Sequence, residues 1–241
     1  MDNIELIAIL SDAHGNSIDL LQAIETAKNY GATKIYFLGD SLGYIPTTDA
    51  LNVIMDNKLA IISLRGNHED DLVSKSTRTH SDQIKKHTDI LKMLTVKQLN
   101  YIHSLPNYIE DTFSNMKVLF IHGSPSDFVR GYFYSDSTFD DKFNHHQYDY
   151  IFMGNTHIPF IRRERDCTLV NVGSVGLPRD DGRYGSFALF YPEKRSVKII
   201  RYRLKTTKKT LQATFNGQID KKVYELFDRE SQDIGDLVTN D

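Results

Sequence analysis

The chain has 241 residues, of which 40% are hydrophobic and 25% charged, and its formal net charge is −3. A chain of this length buries roughly three quarters of its unfolded surface, so we expect a single domain over residues 1–241. Basic and acidic residues are interspersed, which argues against a surface that coats nucleic acid. One cysteine, Cys167, excludes an intramolecular disulfide, and no apolar run reaches the roughly 18 residues that span a membrane. The N-terminal segment lacks the basic region of a signal peptide, so a cytoplasmic location is expected.

In the first part of the chain, short apolar runs alternate with helical patterns. Strands are predicted at residues 4–10, 34–38 and 59–64, because each is an apolar run of strand length bounded by turn residues. Helices are predicted between them, one beginning near Asn16 or Ser17 and one over residues 48–56. Repetition of strand, polar loop and helix predicts an α/β protein with parallel strands.

Later in the chain the pattern changes to closely spaced strands. Residues 81–104 have helical spacing with a break near Thr95. Strands are then predicted at residues 108–111, 117–121, 150–153, 160–163, 168–172, 186–191 and 197–203. The short gaps between them favour antiparallel or mixed pairing. Residues 204–241 form a polar tail with helical character, which either frames a site or covers a face of a sheet.

Polar side chains directly follow five of the predicted strands. They are Asp12 and His14 after the first strand, Asp40 after the second, Asn67 and His68 after the third, His122 after residues 117–121, and Asn155 and His157 after residues 150–153. The carboxyl ends of parallel strands are where open α/β sheets bind ligands. Asp12 and His14 are two residues apart, so in an extended chain both would point to the same side. A single Asp-x-His or Gly-Asp is most often a turn or a helix cap, whereas the ordered set is a much more specific signal.

This ordered series resembles the signature of the calcineurin-like metallophosphoesterases. It consists of Asp-x-His at 12–14, Gly-Asp at 39–40, Gly-Asn-His-Glu at 66–69, His-Gly at 122–123 and Gly-x-Thr-His at 154–157. Residues 39–46 and 171–180 are also similar to two segments of the small bacterial and archaeal phosphodiesterases of that superfamily. The resemblance covers about residues 4–192. It implies a four-layer α/β/β/α sandwich of two mixed β-sheets.

The resemblance also implies two metal ions and a role for each motif residue. The first metal would be held by Asp12, His14, Asp40 and His157, and the second by Asp40, Asn67, His122 and Asn155. A hydroxide bridging the metals would attack phosphorus, with His68 protonating the leaving oxygen. Mn is the expected metal for this set of oxygen and nitrogen donors, with Fe, Zn, Ni and Mg as alternatives. Glu69 or Asp70 would orient His68, or would be solvated acids.

One position departs from the family pattern. The family has histidine where this chain has Asn155, and an amide oxygen is a harder and weaker ligand than imidazole. The affinity and identity of the second metal are therefore open.

Several residues bear on the substrate. Tyr132 and Phe133 would stack a nucleobase, or would pack their loop onto the core. Arg179 would bind a phosphate, or would be a surface arginine. We expect hydrolysis of a phosphomonoester or phosphodiester of a nucleotide-type small molecule. The alternatives are a catalytically weak metal-binding scaffold of the same fold and a protein phosphatase.

Overall fold

The structure is a computed structural model that describes residues 5–74, 90–138 and 145–231, together with the backbone of residues 237–238. The strands are β1 (Ile7–Leu10), β2 (Lys34–Phe37), β3 (Ile61–Ser63), β4 (Tyr108–Phe113), β5 (Met116–Ile121), β6 (Tyr150–Met153), β7 (Phe160–Glu164), β8 (Cys167–Asn171), β9 (Tyr184–Tyr191), β10 (Ser196–Arg203) and β11 (Leu237–Val238). The helices are α1 (Ser17–Asn29), α2 (Asp49–Ile54), α3 (Asn67–Val73), α4 (Val96–Ser104), α5 (Lys208–Phe215) and α6 (Lys221–Leu226). None of these helices is long and apolar enough to cross a membrane.

The strands form two mixed sheets, as predicted. One sheet has the order β11-β10-β9-β1-β2-β3 and the other the order β4-β5-β6-β8-β7. Strands β1, β2 and β3 are parallel, and so are β5, β6 and β8, whereas β9 and β4 pair antiparallel to their neighbours. Each sheet therefore brings several carboxyl ends of strands to one edge.

The two sheets pack face to face through alternate side chains. In β1, Ile7 and Ile9 face the other sheet, while Ala8 and Leu10 face α1 and α2. Since both faces of β1 are covered, its sequence is a continuous apolar run. Between the sheets, the rings of Tyr36 and Phe120 stack with centroids 4.1 Å apart. The predicted layers of helix, sheet and sheet are present.

One prediction at the periphery needs correction. On the outer face of the five-stranded sheet, the described residues include a loop carrying Phe133 and a 3₁₀ turn beside Tyr148. In the tail, two helices are followed by β11, a strand that the helical pattern did not indicate. Residues 81–89 of the predicted helical region lie outside the described residues, but the break near Thr95 is confirmed, since Thr95 caps α4.

The C-terminal helices frame one end of the molecule. Leu211 of α5 and Val223 of α6 pack against Ile45 and Leu177, which lie in the loops after β2 and β8. Of the two alternatives for the tail, the described residues favour the first, because these loops belong to the edge where the strand ends meet.

Candidate metal centre

The strand ends bring the predicted ligands into one buried cluster. Three overlapping groups have ligand atoms within 4.8 Å of one another: Asp12, His14 and His157; His14, Asp40 and His68; and Asp12, Asp40 and His122. The two amides predicted as ligands, Asn67 and Asn155, join this cluster through His122 and Asp12. Asn67 is half-buried, whereas the other six predicted ligands are buried. The structure therefore places all seven in one region.

The backbone of this cluster is strained. Five of the seven residues have a positive φ, namely Asp12 (60°), His14 (48°), Asp40 (58°), Asn155 (62°) and His157 (60°). Each such residue costs about 1–3 kcal/mol, and such strain collects at functional sites. The expectation that Asp12 and His14 share a side of an extended chain is wrong, because both are left-handed. Tertiary hydrogen bonds hold them there, since their backbone amides donate to Gly39 O (3.0 Å) and Asp40 O (2.9 Å).

The Nε2 atom of His122 faces two side-chain oxygen atoms that can accept a hydrogen bond or bind a metal ion. Its Nδ1 lies 2.8 Å from the carbonyl oxygen of Leu38, which only accepts, so Nδ1 carries the hydrogen. In the neutral ring Nε2 then has a lone pair, and it lies 2.9 Å from Asn67 Oδ1 and 3.3 Å from Asp40 Oδ2. Either a proton on Nε2 or a metal cation between these atoms satisfies all three. This carbonyl-oriented histidine is the usual arrangement of a metal ligand.

His157 has the same arrangement on the other side of the cluster. Its Nδ1 donates to Leu177 O at 2.5 Å, so Nε2 presents a lone pair to Asp12 Oδ1 at 3.1 Å and His14 Nε2 at 3.0 Å. Asp12 Oδ1 is buried and accepts no hydrogen bond from the described residues. An orphaned carboxylate oxygen among imidazole nitrogens fits a metal cation. The donor set therefore fits a metal ion.

The charges of the cluster agree with this interpretation. Burial would raise the pKa of Asp12, but the imidazoles of His157 and His122 hold it well below its usual value. Burial lowers the pKa of His157 to about 4, so the ring is neutral at pH 7, as a ligand must be. Burial also opposes charge on His122, but the carboxylates of Asp40 and Asp12 raise its pKa to about 9. A proton or a metal cation on Nε2 meets the same need, and a metal would displace the proton.

His68 lies at the accessible side of the cluster. Its side chain is 16% exposed, and its Nε2 is 3.9 Å from Asp40 Oδ2. Its backbone amide donates to Asp40 Oδ1 at 2.9 Å, which fixes the start of α3 against the loop after β2. The ring contacts Tyr44, with centroids 5.0 Å apart. This position lets His68 reach a bound molecule, and it also lies within ligand distance of His14.

Glu69 is a buried positioning residue. It is 1% exposed, so the alternative of a solvated acid is wrong for Glu69. Its carboxylate accepts hydrogen bonds from the backbone of Asp40 (2.8 Å), Gly66 (3.1 Å) and Leu42 (3.1 Å) and from the hydroxyl of Ser41 (2.8 Å). Burial raises its pKa, and nearby Asp40 adds to this effect. Glu69 thus ties the loop that carries Asp40 to the helix that carries Asn67 and His68.

Arg179 and Tyr44 form a pair beside the metal ligands. The guanidinium of Arg179 lies 3.2 Å from the hydroxyl of Tyr44, whose ring centroid is 4.8 Å from that of His14. Arg179 is half-buried and forms no ion pair within the described part of the chain. Tyr44 was not predicted as a site residue, although it lies in residues 39–46, the segment similar to the small phosphodiesterases. An unpaired half-buried cation next to this cluster suits an anion.

The two aromatic residues predicted to contact substrate lie on opposite sides of their chain segment. Phe133 is 5% exposed and packs on the outer face of the five-stranded sheet, with the guanidinium of Arg162 5.0 Å from its ring centroid. Phe133 is therefore a core residue, and its ring is not available to stack a base. Tyr132 is 55% exposed. These two neighbouring rings therefore lie in different environments.

Comparisons with known proteins agree with the fold and the cluster. Two stacked mixed sheets with a buried Asp/His cluster at their strand ends define a class of metal-binding α/β proteins. The model of the calcineurin-like phosphoesterase superfamily domain matches residues 6–195, and the chain belongs to this superfamily. A protein of Methanocaldococcus jannaschii named as uncharacterised is 32% identical over 218 residues, covering 81% of this chain and 86% of that protein.

Two solved structures show the same fold. A metallophosphoesterase from Sphaerobacter thermophilus has a TM-score of 0.72 at 23% identity, covering 93% of this chain and 98% of its own. A hypothetical protein from Pyrococcus horikoshii has a TM-score of 0.75 at 21% identity, covering 92% of this chain and 97% of its own. The predicted family and fold are confirmed. Membership supports phosphate-ester hydrolysis in general, and the substrate is a separate question.

Proposed function

We propose that this protein hydrolyses phosphomonoester or phosphodiester bonds of a nucleotide-type small molecule with two metal ions. The observation that carries the proposal is the pair of buried positions where imidazole nitrogens converge with carboxylate and amide oxygens. One lies between His122 Nε2, Asn67 Oδ1 and Asp40 Oδ2, and the other between His157 Nε2 and Asp12 Oδ1.

We propose ligand sets that complete these two positions with the other predicted ligands. Asp12, His14, Asp40 and His157 would hold one ion, and Asp40, Asn67, His122 and Asn155 the other. When bound, the ions supply a nucleophilic water at neutral pH and neutralise charge on the phosphoryl group. The chain contributes oxygen and nitrogen donors and no thiolate, since its only cysteine is buried at the outer face of the five-stranded sheet. This set suits Mn, with Fe, Zn, Ni and Mg as alternatives.

His68 is proposed to donate a proton to the leaving oxygen. Three features support this role: its side chain is partly exposed, its backbone is held by Asp40, and the adjacent Glu69 anchors the start of α3. A general acid must reach the leaving oxygen without being buried behind the ligands.

Arg179 is proposed to bind a non-bridging oxygen of the phosphate. Arg179→Met should raise KM about tenfold or more, because hydrogen bonds to charged groups contribute about 1.5–3 kcal/mol. Metal content should stay the same, since Arg179 is not a ligand. Steady-state kinetics with elemental analysis checks both, and Arg163→Met, on the exposed side of β7, is the control. An unchanged KM would make Arg179 a surface arginine that only contacts Tyr44.

Metal titration tests the proposal as a whole. We expect activity on phosphate esters to follow the second equivalent of Mn²⁺ bound to metal-stripped protein, with elemental analysis counting the ions. A panel of mononucleotides, cyclic nucleotides, dinucleoside polyphosphates, aryl phosphates and phosphopeptides then identifies the substrate class. Full activity with one bound ion contradicts the two-metal account. Metal binding without turnover on any ester indicates a scaffold, and a preference for phosphopeptides indicates a protein phosphatase.

A further inference from the structure

The side chain of Asn155 is oriented by a neighbouring loop. Its Nδ2 donates to the carbonyl oxygen of Gly131 at 2.8 Å and to that of Arg130 at 3.3 Å, and its backbone amide donates to Asp12 Oδ2 at 3.1 Å. Carbonyl oxygens only accept hydrogen bonds, so the NH₂ group must face the loop. The oxygen of the same amide then faces away from the loop. Asn155 is 3% exposed, so water does not compete strongly for these bonds.

The loop that Asn155 contacts comprises residues 123–134 and is called the aromatic loop below. It follows β5 directly, and the backbone amides of His122 and Gly123 both donate to Phe128 O, at 3.0 and 2.7 Å. A Cβ atom on Gly131 would lie 1.8 Å from Ser124 Oγ, so this close packing requires glycine. The side chain of Arg130 also pairs with Asp70 of α3 at 2.6 Å. The loop is thus tied to three elements that carry predicted ligands.

Beyond Gly131, the aromatic loop presents two tyrosine rings to solvent. Tyr132 and Tyr134 are 55% and 41% exposed, and their rings are nearly parallel, at 12° with centroids 6.5 Å apart. Apolar area that stays in water adds little to folding stability, so burial does not account for this pair. Tyr132 directly follows Gly131, whose carbonyl oxygen accepts the hydrogen bond from Asn155 Nδ2, so the pair begins one residue from this contact.

We propose that Asn155 is a specificity-positioning residue, whose NH₂ group holds the aromatic loop so that Tyr132 and Tyr134 bind a planar ring of the substrate. This inference rests on the function proposed above and narrows its substrate to phosphate esters that carry a nucleobase or another aromatic group. It also gives a reason for asparagine at this position. A neutral imidazole that binds a metal through one nitrogen has one N–H left, so it cannot donate to both carbonyl oxygens.

A tryptophan in the aromatic loop allows the order of this loop to be measured independently of catalytic activity. The chain contains no tryptophan, so Tyr132→Trp introduces a single one, whose fluorescence anisotropy reports the order of the aromatic loop. Asn155→Asp keeps an oxygen ligand but places a carboxylate oxygen against Gly131 O, which removes both hydrogen bonds. In the Tyr132→Trp background, Asn155→Asp should lower the anisotropy. Bound Mn²⁺, measured by elemental analysis, should be retained.

Substrate preference is measured with two ligands that share one phosphate ester. Adenosine 5′-monophosphate and ribose 5-phosphate compete with hydrolysis of a nitrophenyl ester, and the ratio of their inhibition constants isolates the base. With Tyr132 present, Asn155→Asp should reduce the preference for adenosine 5′-monophosphate by about fivefold or more, the lower limit for one base stacked on an aromatic ring. Any change in how the metal site binds phosphate alters both constants alike and leaves their ratio the same.

Two further variants keep the inference testable. Gln98→Glu, which also buries a carboxylate in place of an amide but on α4, controls for general destabilisation. If Asn155→Asp does not fold, Asn155→His should show the same loss of base preference together with tighter binding of Zn²⁺.

Unchanged anisotropy and base preference in the Asn155 variants would overturn the positioning role. Wild-type protein that hydrolyses esters without base preference would overturn this inference alone, whereas wild-type protein without metal or turnover would overturn the proposed function.

Discussion

His68→Ala should reduce kcat by about 10²–10⁴, the usual contribution of a general acid. The backbone amide of His68, which donates to Asp40 Oδ1, is unaffected by the change, so the Asp40 loop should keep its position. The loss should be smaller for nitrophenyl esters, because a good leaving group needs little protonation. Steady-state kinetics on a series of esters with leaving groups of different pKa measures this dependence.

The control for this variant is His103→Ala, since His103 is an exposed histidine of α4. Equal losses for good and poor leaving groups would contradict the acid role and leave only stabilisation of charge. His68 also lies within ligand distance of His14 and Asp40, so metal content must be measured in the same preparation. A fall in bound metal would identify His68 as a ligand instead.

Asp40→Asn should abolish two-metal binding and with it most of the activity. Asp40 Oδ2 lies 3.3 Å from His122 Nε2 and 3.7 Å from His14 Nε2, so its carboxylate stands between the two proposed positions. Asparagine has the same shape and can still accept from the amide of His68. Its amide carries no negative charge and has one donor oxygen, so it is a poor bridge between two cations. Elemental analysis after dialysis against Mn²⁺ should find at most one ion.

Asp12→Asn is the matched comparison for Asp40→Asn. Asp12 Oδ1 faces His157 and His14 and belongs to one proposed position only. This variant should weaken the first metal position and leave the second occupied. If both variants lose the same ions, Asp40 does not bridge. If Asp40→Asn retains two ions and full activity, the proposed arrangement of ligands is wrong.

The sequence predicted the elements of this fold closely because apolar runs and turn residues are local signals. Residues 150–153 coincide with β6, and Asn16 is the N-cap of α1, where its side chain accepts from Asp19 N. Strand β11 was missed, because it is only two residues long and lies in a polar tail. Parallel order follows from the alternation of strands and helices, so the meeting of strand ends at one edge was predictable as well.

The residue types and the order of the motifs along the chain identified the predicted site residues. The contacts of these residues depend on the folded chain. Glu69 and Asp70 are adjacent acids that the sequence treats alike. In the structure Glu69 is buried under four hydrogen bonds from two loops, whereas Asp70 pairs with Arg130. Tyr132 and Phe133 are likewise adjacent aromatics, one exposed and one in the core. Phe133 is buried because it packs against the five-stranded sheet, a contact that residue type alone does not indicate.

By itself, the sequence determined the fold class, the family and the set of residues at the strand ends, because these follow from local patterns and ordered motifs. Only the tertiary structure decided the left-handed backbone at Asp12, His14 and Asp40, since hydrogen bonds between separate loops hold it. It also decided the orientation of the Asn155 amide, which is set by two carbonyl groups 24 and 25 residues earlier in the chain. Contacts between distant segments have no local signature in the sequence.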